Sequence, residues 1–151
     1  LRADPVLLSE LVNDAVADAR AVEPERPVSA FVEDGVVVRG DEDRLRQVIG
    51  NLLGNVRMHT AADVAVDVAL TSQDGVASLR VADHGPGIDA EHTAQIFDRF
   101  YRVDAGRSRE RGGAGLGLAI ASSVAGAHGG TIEYSDTPGG GATFTLTLPR
   151  A

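Results

Sequence analysis

The sequence contains no cysteine and no lysine, and aromatic residues make up only 4% of its 151 positions. Without cysteine, disulfides and thiolate metal sites are excluded. Without lysine, neither a P-loop nucleotide site nor a protein-kinase fold can operate, because both place a lysine on the phosphates. All fourteen basic residues are therefore arginine. No stretch approaches the roughly 20 apolar residues that a membrane span needs, and no signal peptide is visible. The chain begins at Leu1 rather than methionine, which suggests a piece of something longer. Positive charge is also short: the formal net charge is −8. Such a surface repels phosphate backbones, so no nucleic-acid partner is expected, and the chain itself is not expected to contact a membrane.

Hydrophobic residues form 43% of the chain, enough for the core of one compact domain. Residues 9–22 carry apolar positions at Leu11, Val12, Ala15, Val16 and Ala19, the spacing of one helical face, with Ser9 as the expected N-cap. Pro24 and Pro27 end that helix. Short strands are expected over 28–32 and 36–39, joined by the turn residues Asp34-Gly35. Residues 41–59 form a second helix with an apolar stripe from Leu45 to Val56. Residues 64–71 and 76–82 alternate like paired strands around Asp74-Gly75. From His84 to Gly117 periodicity fades, apart from a short helical stretch near 90–96, and the texture is that of a functional lid. A helix over 116–128 and strands over 131–135 and 142–148 complete the chain. The pattern predicts a two-layer α/β sandwich, a mixed sheet of about five strands with three helices on one face.

Four segments carry candidate chemistry. Asn51, Asn55 and His59 lie four apart on the second helix and share a face. Asparagine is a mediocre helix former; the stripe is either a polar edge or a set of amide oxygens for a hard cation such as Mg²⁺. Asp83 ends a strand before Gly85, Gly87 and Ile88, either as an ordinary turn or as a carboxylate that accepts a hydrogen bond from an exocyclic amine. Gly113, Gly115, Leu116 and Gly117 lead into a helix whose backbone N–H groups suit an anion. Gly141, Ala142 and Thr143 open the last strand. Arginines 99, 102, 107, 109 and 111 crowd the irregular segment, either as solvated ion pairs or to neutralise a polyphosphate. His128, beside Gly129, fits a helix C-terminus interacting with the dipole better than a metal ligand. No nucleophile-elbow serine is present.

In this order and spacing, the segments resemble the N, G1, F, G2 and G3 boxes of the GHKL ATP-binding superfamily, most closely those of sensor histidine kinases. Residues 43–55 are similar to the N box, 97–102 to the F box and 113–120 to the G2 box. The resemblance spans nearly the whole chain and implies a Bergerat-type fold, one ATP-binding catalytic domain over 1–151 with a mobile lid near 97–114. It implies ATP and Mg²⁺ as cofactors, with Asn55 as metal ligand, Asn51 in support, and Asp83 on the adenine amine. Gly85 and Gly87 shape the pocket, with Ile88, Leu116 and Phe144 as apolar wall. Gly113, Gly115 and Gly117 approach the phosphates, His59 lies near the nucleotide, and Thr143 offers a hydroxyl. Phe97 and Phe100 anchor the lid, and Arg99 or Arg102 faces the phosphates or the phosphoacceptor helix.

Two departures from the family pattern stand out. Met58 occupies the position where Lys or Arg usually reaches the phosphates, and Ala142 replaces the usual threonine. The phosphoacceptor motif is absent from this chain, so the resemblance implies a histidine on a missing dimerisation hairpin, in a homodimer, with a response regulator downstream. The implied location is the cytoplasmic part of an inner- or plasma-membrane protein. The competing readings are a GHKL ATPase and a degenerate nucleotide-binding module. The ATPases use a glutamate one turn before the metal asparagine, where this chain has Asn51.

Overall fold

A computed structural model describes residues 3–88, 96, 97 and 117–151. Strand β1 (Asp4–Leu7) runs directly into helix α1 (Leu8–Val22), followed by β2 (Val28–Val32), β3 (Val37–Gly40) and helix α2 (Glu42–His59). The hairpin β4 (Val66–Gln73) and β5 (Val76–Asp83) comes next, then helix α3 (Gly117–Ala127) and strands β6 (Thr131–Asp136) and β7 (Ala142–Pro149). The five-stranded sheet has the order β2-β4-β5-β7-β6, and β1 with β3 forms a separate two-stranded ribbon. Only β2–β4 is parallel; the other pairs are antiparallel.

Alternation along the strands fixes one inward face. Val68, Val81 and Phe144 line up across β4, β5 and β7, as do Leu70, Leu79 and Leu146. These side chains are almost completely buried, in one core with the stripes of α1 and α2. Helix α2 packs against both α1 and α3, so the three helices cover one face of the sheet. The expected two-layer sandwich is the observed architecture.

One local expectation is corrected. Ser9 does not cap α1: the helix begins at Leu8, and Leu7 precedes it with no side-chain cap. The Ser9 hydroxyl instead donates to Glu33 O (2.6 Å) and accepts from Val36 N (3.0 Å), joining α1 to the connection between β2 and β3. A serine inside the first turn and only 4% exposed faces the core, where its hydroxyl must find partners. The turn expected at Asp34-Gly35 is present between the two strands, with Gly35 at φ 70°. β3 leaves to pair with β1, while β2 pairs with β4, matching Val28, Ala30 and Val32 to Val66, Val68 and Leu70. Long-range register on the inward face sets these partners.

His128 joins two helix ends. Its Nε2 accepts the N–H of Asp41, the N-cap of α2, at 3.1 Å. That fixes the tautomer, so Nδ1–H donates to Val124 O at the end of α3 (2.8 Å). The helix-terminus interaction expected for His128 is therefore present, along with a second contact to α2. Replacing His128 by alanine strips both, and we expect a loss of about 1–3 kcal/mol in urea unfolding.

Candidate nucleotide site

The C-terminal half of α2 and the end of β5 meet beside the start of α3. Val48, Leu52 and Val56 bury one face of α2, leaving Asn51, Asn55 and His59 along its border. The Asn51 Nδ2 donates to Gly117 O, the first residue of α3, at 3.2 Å. Asn55 is one turn further on, half-buried, and its carboxamide makes no hydrogen bond with another described residue. His59 is exposed and Met58 half-buried. The helix closes at Thr60, whose hydroxyl donates to Val56 O at 2.6 Å.

Asp83 is 5% exposed. Its Oδ1 accepts two backbone donors, Gly85 N at 3.0 Å and Ala142 N at 3.1 Å. Oδ2 takes no donor from the described residues. A buried carboxylate needs hydrogen-bond partners, and two N–H groups on one oxygen leave the other available. The glycines make this junction possible. A Cβ on Gly141, at φ 123°, would lie 1.9 Å from Asp83 O. Gly87, at φ 76°, would place one 3.1 Å from Gly141 O. A Cβ on Gly85 would fall 2.9 Å from the Thr60 methyl, so the turn after β5 rests directly on the end of α2.

An aromatic cluster backs the turn. Phe144 stacks edge-on against Tyr134 (5.6 Å) and Phe97 (6.1 Å). At 1% exposure Phe144 belongs to the core behind the turn, and Phe97 is held by it. The Tyr134 hydroxyl accepts from Ile88 N (3.2 Å) and donates to Asp136 Oδ1 (2.9 Å). Burial, with the Asp136 hydrogen bond next, raises the Tyr134 pKa above its ordinary value. Tyr134 was not singled out from the sequence. Its signal was a tyrosine at an inward position of an edge strand, where the hydroxyl must find a partner.

The structure thus brings Asn51, Asn55, Asp83, Gly85, Gly87, Ile88 and Gly117 to one end of the sandwich. Thr143 is not brought with them. It alternates with Phe144, so it lies on the opposite face of the sheet, and its hydroxyl is 2.9 Å from that of Thr137. The helical stretch expected near 90–96 is described only at Ile96, and Arg99, Phe100, Arg102, Gly113, Gly115 and Leu116 lie outside the described residues.

A three-helix layer over a mixed sheet, with a buried aspartate at a strand end between glycine turns, defines an ATPase-type nucleotide fold. The chain belongs to the histidine kinase-, DNA gyrase B- and HSP90-like ATPase family, whose profile matches residues 40–151. It is 43% identical over 150 residues to the probable sensor histidine kinase TcrY of Mycobacterium tuberculosis, covering 99% of this chain and 31% of that protein. It is 36% identical over 149 residues to the sensor-like histidine kinase SenX3 of Mycolicibacterium smegmatis, covering 97% and 39%. The chain therefore spans between 31% and 39% of these relatives. Among solved structures, a mycobacterial sensor histidine kinase, MprB, superposes with a TM-score of 0.84 at 29% identity over 98% of this chain and 97% of that one. Full-length ShkA in complex with AMPPNP gives 0.80 at 30% identity over 100% and 32%.

Tyr134→Phe keeps the ring packing but leaves the Ile88 N–H without its acceptor. Unfolding by urea is expected to show a loss of roughly 0.5–1.5 kcal/mol.

Proposed function

We propose that this chain binds ATP with Mg²⁺ and serves as the catalytic domain, over residues 1–151, of a longer sensor histidine kinase. In that kinase the γ-phosphoryl group passes to a histidine of its own dimerisation domain, within a homodimer, and onward to a response regulator. Mg²⁺ supplies charge neutralisation of the polyphosphate. The observation that carries the reading is Asp83: a buried carboxylate, held on one oxygen by two backbone donors, keeps the other for an external amine. An adenine 6-amino group fits that acceptor; the guanine carbonyl at the same place does not.

Asn55 fits a metal ligand by the same logic. Mg²⁺ prefers oxygen donors, and the Asn55 amide is not committed to any described neighbour, whereas that of Asn51 already holds Gly117. Asn51 is thereby a support for α3 and a neighbour of the metal. His59 and the turn at Gly85, Gly87 and Ile88 border the nucleotide. Gly117 places the start of α3 near the phosphates. Arg99, Arg102, Gly113, Gly115 and Leu116 are assigned to phosphate contact on their sequence pattern alone. Thr143 faces away from this site through its pairing with Thr137.

Transfer is favoured over hydrolysis by Asn51. It stands where the hydrolysing members of the superfamily carry a general base, and a carboxamide accepts no proton. None of the described helices is long and apolar enough to cross a membrane. The kinase reading itself, and not that absence, places the chain on the cytoplasmic side of a membrane protein.

Two substitutions test the site. Asn55→Ala is expected to abolish Mg²⁺-dependent binding of a fluorescent ATP analogue while the circular dichroism spectrum is unchanged; wild-type affinity would remove Asn55 from the site. Asp83→Asn can still accept Gly85 N and Ala142 N through its amide oxygen, but its NH₂ opposes the adenine amine. Loss of about 1.5–3 kcal/mol of binding, some ten- to hundred-fold, is expected in calorimetry. Equal binding of ATP and GTP by the unsubstituted chain would contradict the Asp83 assignment. Phosphate release from ATP by the chain is expected at background level, and brisk release would favour the ATPase reading.

A further inference from the structure

Arg26 lies outside every motif of the nucleotide site, yet its side chain is only 4% exposed. Burying a guanidinium is unfavourable unless its donors are met. Here Nε donates to Glu23 Oε1 at 2.8 Å and Nη2 to Glu23 Oε2 at 3.3 Å. That pairing satisfies the charge within the connection between α1 and β2. The remaining contacts leave that connection. Nη1 donates to Thr60 Oγ1 at 2.8 Å and to Val64 O at 2.8 Å.

One recipient touches the turn that follows Asp83, and the other adjoins a residue that does. Thr60 caps α2, and its methyl is the surface on which Gly85 rests. Val64 leads into Ala65, whose carbonyl accepts His84 N at 3.1 Å. One guanidinium therefore grips the last turn of α2, five positions beyond Asn55, and the lead-in to the strand beside Asp83. Its positive charge also sits at the negative end of the α2 dipole.

We propose that Arg26 is a positioning residue for the metal–nucleotide site, setting the spacing between Asn55 on α2 and Asp83 on β5 so that one nucleotide reaches both. The inference rests on the ATP–Mg²⁺ reading given above. Lysine cannot replace it, because a single ammonium cannot fork to Glu23 while meeting Thr60 and Val64. A residue of purely structural value would lower stability and leave the folded site unaltered. A positioning residue shifts the balance between ligands that engage one end of the site and those that engage both.

The test compares adenosine, which needs only the Asp83 end, with an ATP analogue in the presence and absence of Mg²⁺. The variants are Arg26→Lys and Thr60→Val, the second keeping the methyl against Gly85 while removing the hydroxyl that receives Arg26. Both are studied at a temperature where circular dichroism shows them folded. Adenosine affinity is expected to stay within about twofold, while the gain in affinity from Mg²⁺ falls at least fivefold, the expected result of a misplaced ligand. Arg46→Ala, which removes exposed pairs to Asp14 and Glu42, should leave both quantities unchanged. Normal binding by the unsubstituted chain with an undiminished Mg²⁺ gain in the folded variants would overturn the inference alone. Absence of Mg²⁺-dependent binding in the unsubstituted chain would overturn the nucleotide reading and this inference with it.

Discussion

The end of the sandwich is organised by one carboxylate oxygen. Asp83 Oδ1 holds Gly85, two residues away, and Ala142, which is 59 residues away. Removing a carboxylate from water is unfavourable, and the two N–H bonds offset that cost only if both backbones come within 3 Å or so of the same atom. This requirement explains the glycines around it. Gly141 must pass the Asp83 carbonyl without a side chain, and Gly87 must pass Gly141 in turn. The site is thus formed mostly by backbone, and side-chain variety is confined to its borders.

Helix α2 provides the other half, with two stripes close together. Its apolar face from Leu45 to Val56 is buried, which is where its stability arises. Asn51 and Asn55 sit on the border of that stripe, each a poorer helix former than the leucines beside it. The rigid helix compensates, because side chains on a packed element are placed more accurately than side chains on a loop. One asparagine is committed to the start of α3, and the other is left uncommitted. On the proposed reading that division of labour separates support from metal binding.

Much of the fold was legible because it is periodic. The stripe of α2 marked the helix, and the alternation of β4 and β5 marked both strands and their antiparallel pairing, with Leu70 opposite Leu79 as alternation demands. What was illegible depended on partners remote in sequence. Ser9 reads locally as a cap, but its hydroxyl serves Glu33 and Val36. The turn at Asp34-Gly35 was visible, but not that β2 adds its inward valines to β4 while β3 pairs with β1. At the site, Asp83 and its glycines were visible as a motif, whereas Tyr134 and Arg26 lie outside all motifs and act through long-range bonds. The placement of Thr143 was derivable in principle: once Phe144 is inward, its neighbour must point the other way.

Asn51 shows how structure and chemistry constrain each other at a single position. Its NH₂ group donates to the carbonyl of Gly117, tying α2 to the first turn of α3. A glutamate there, the residue that hydrolysis would require, has no donor when ionised and would face that carbonyl oxygen acceptor to acceptor. Acquiring a general base would therefore loosen the helix start that the phosphates are proposed to meet. Losing one would free the position for an amide that fastens it. On the proposed reading, in which the phosphoryl group is held for an external histidine and not given to water, the amide is favoured on both counts.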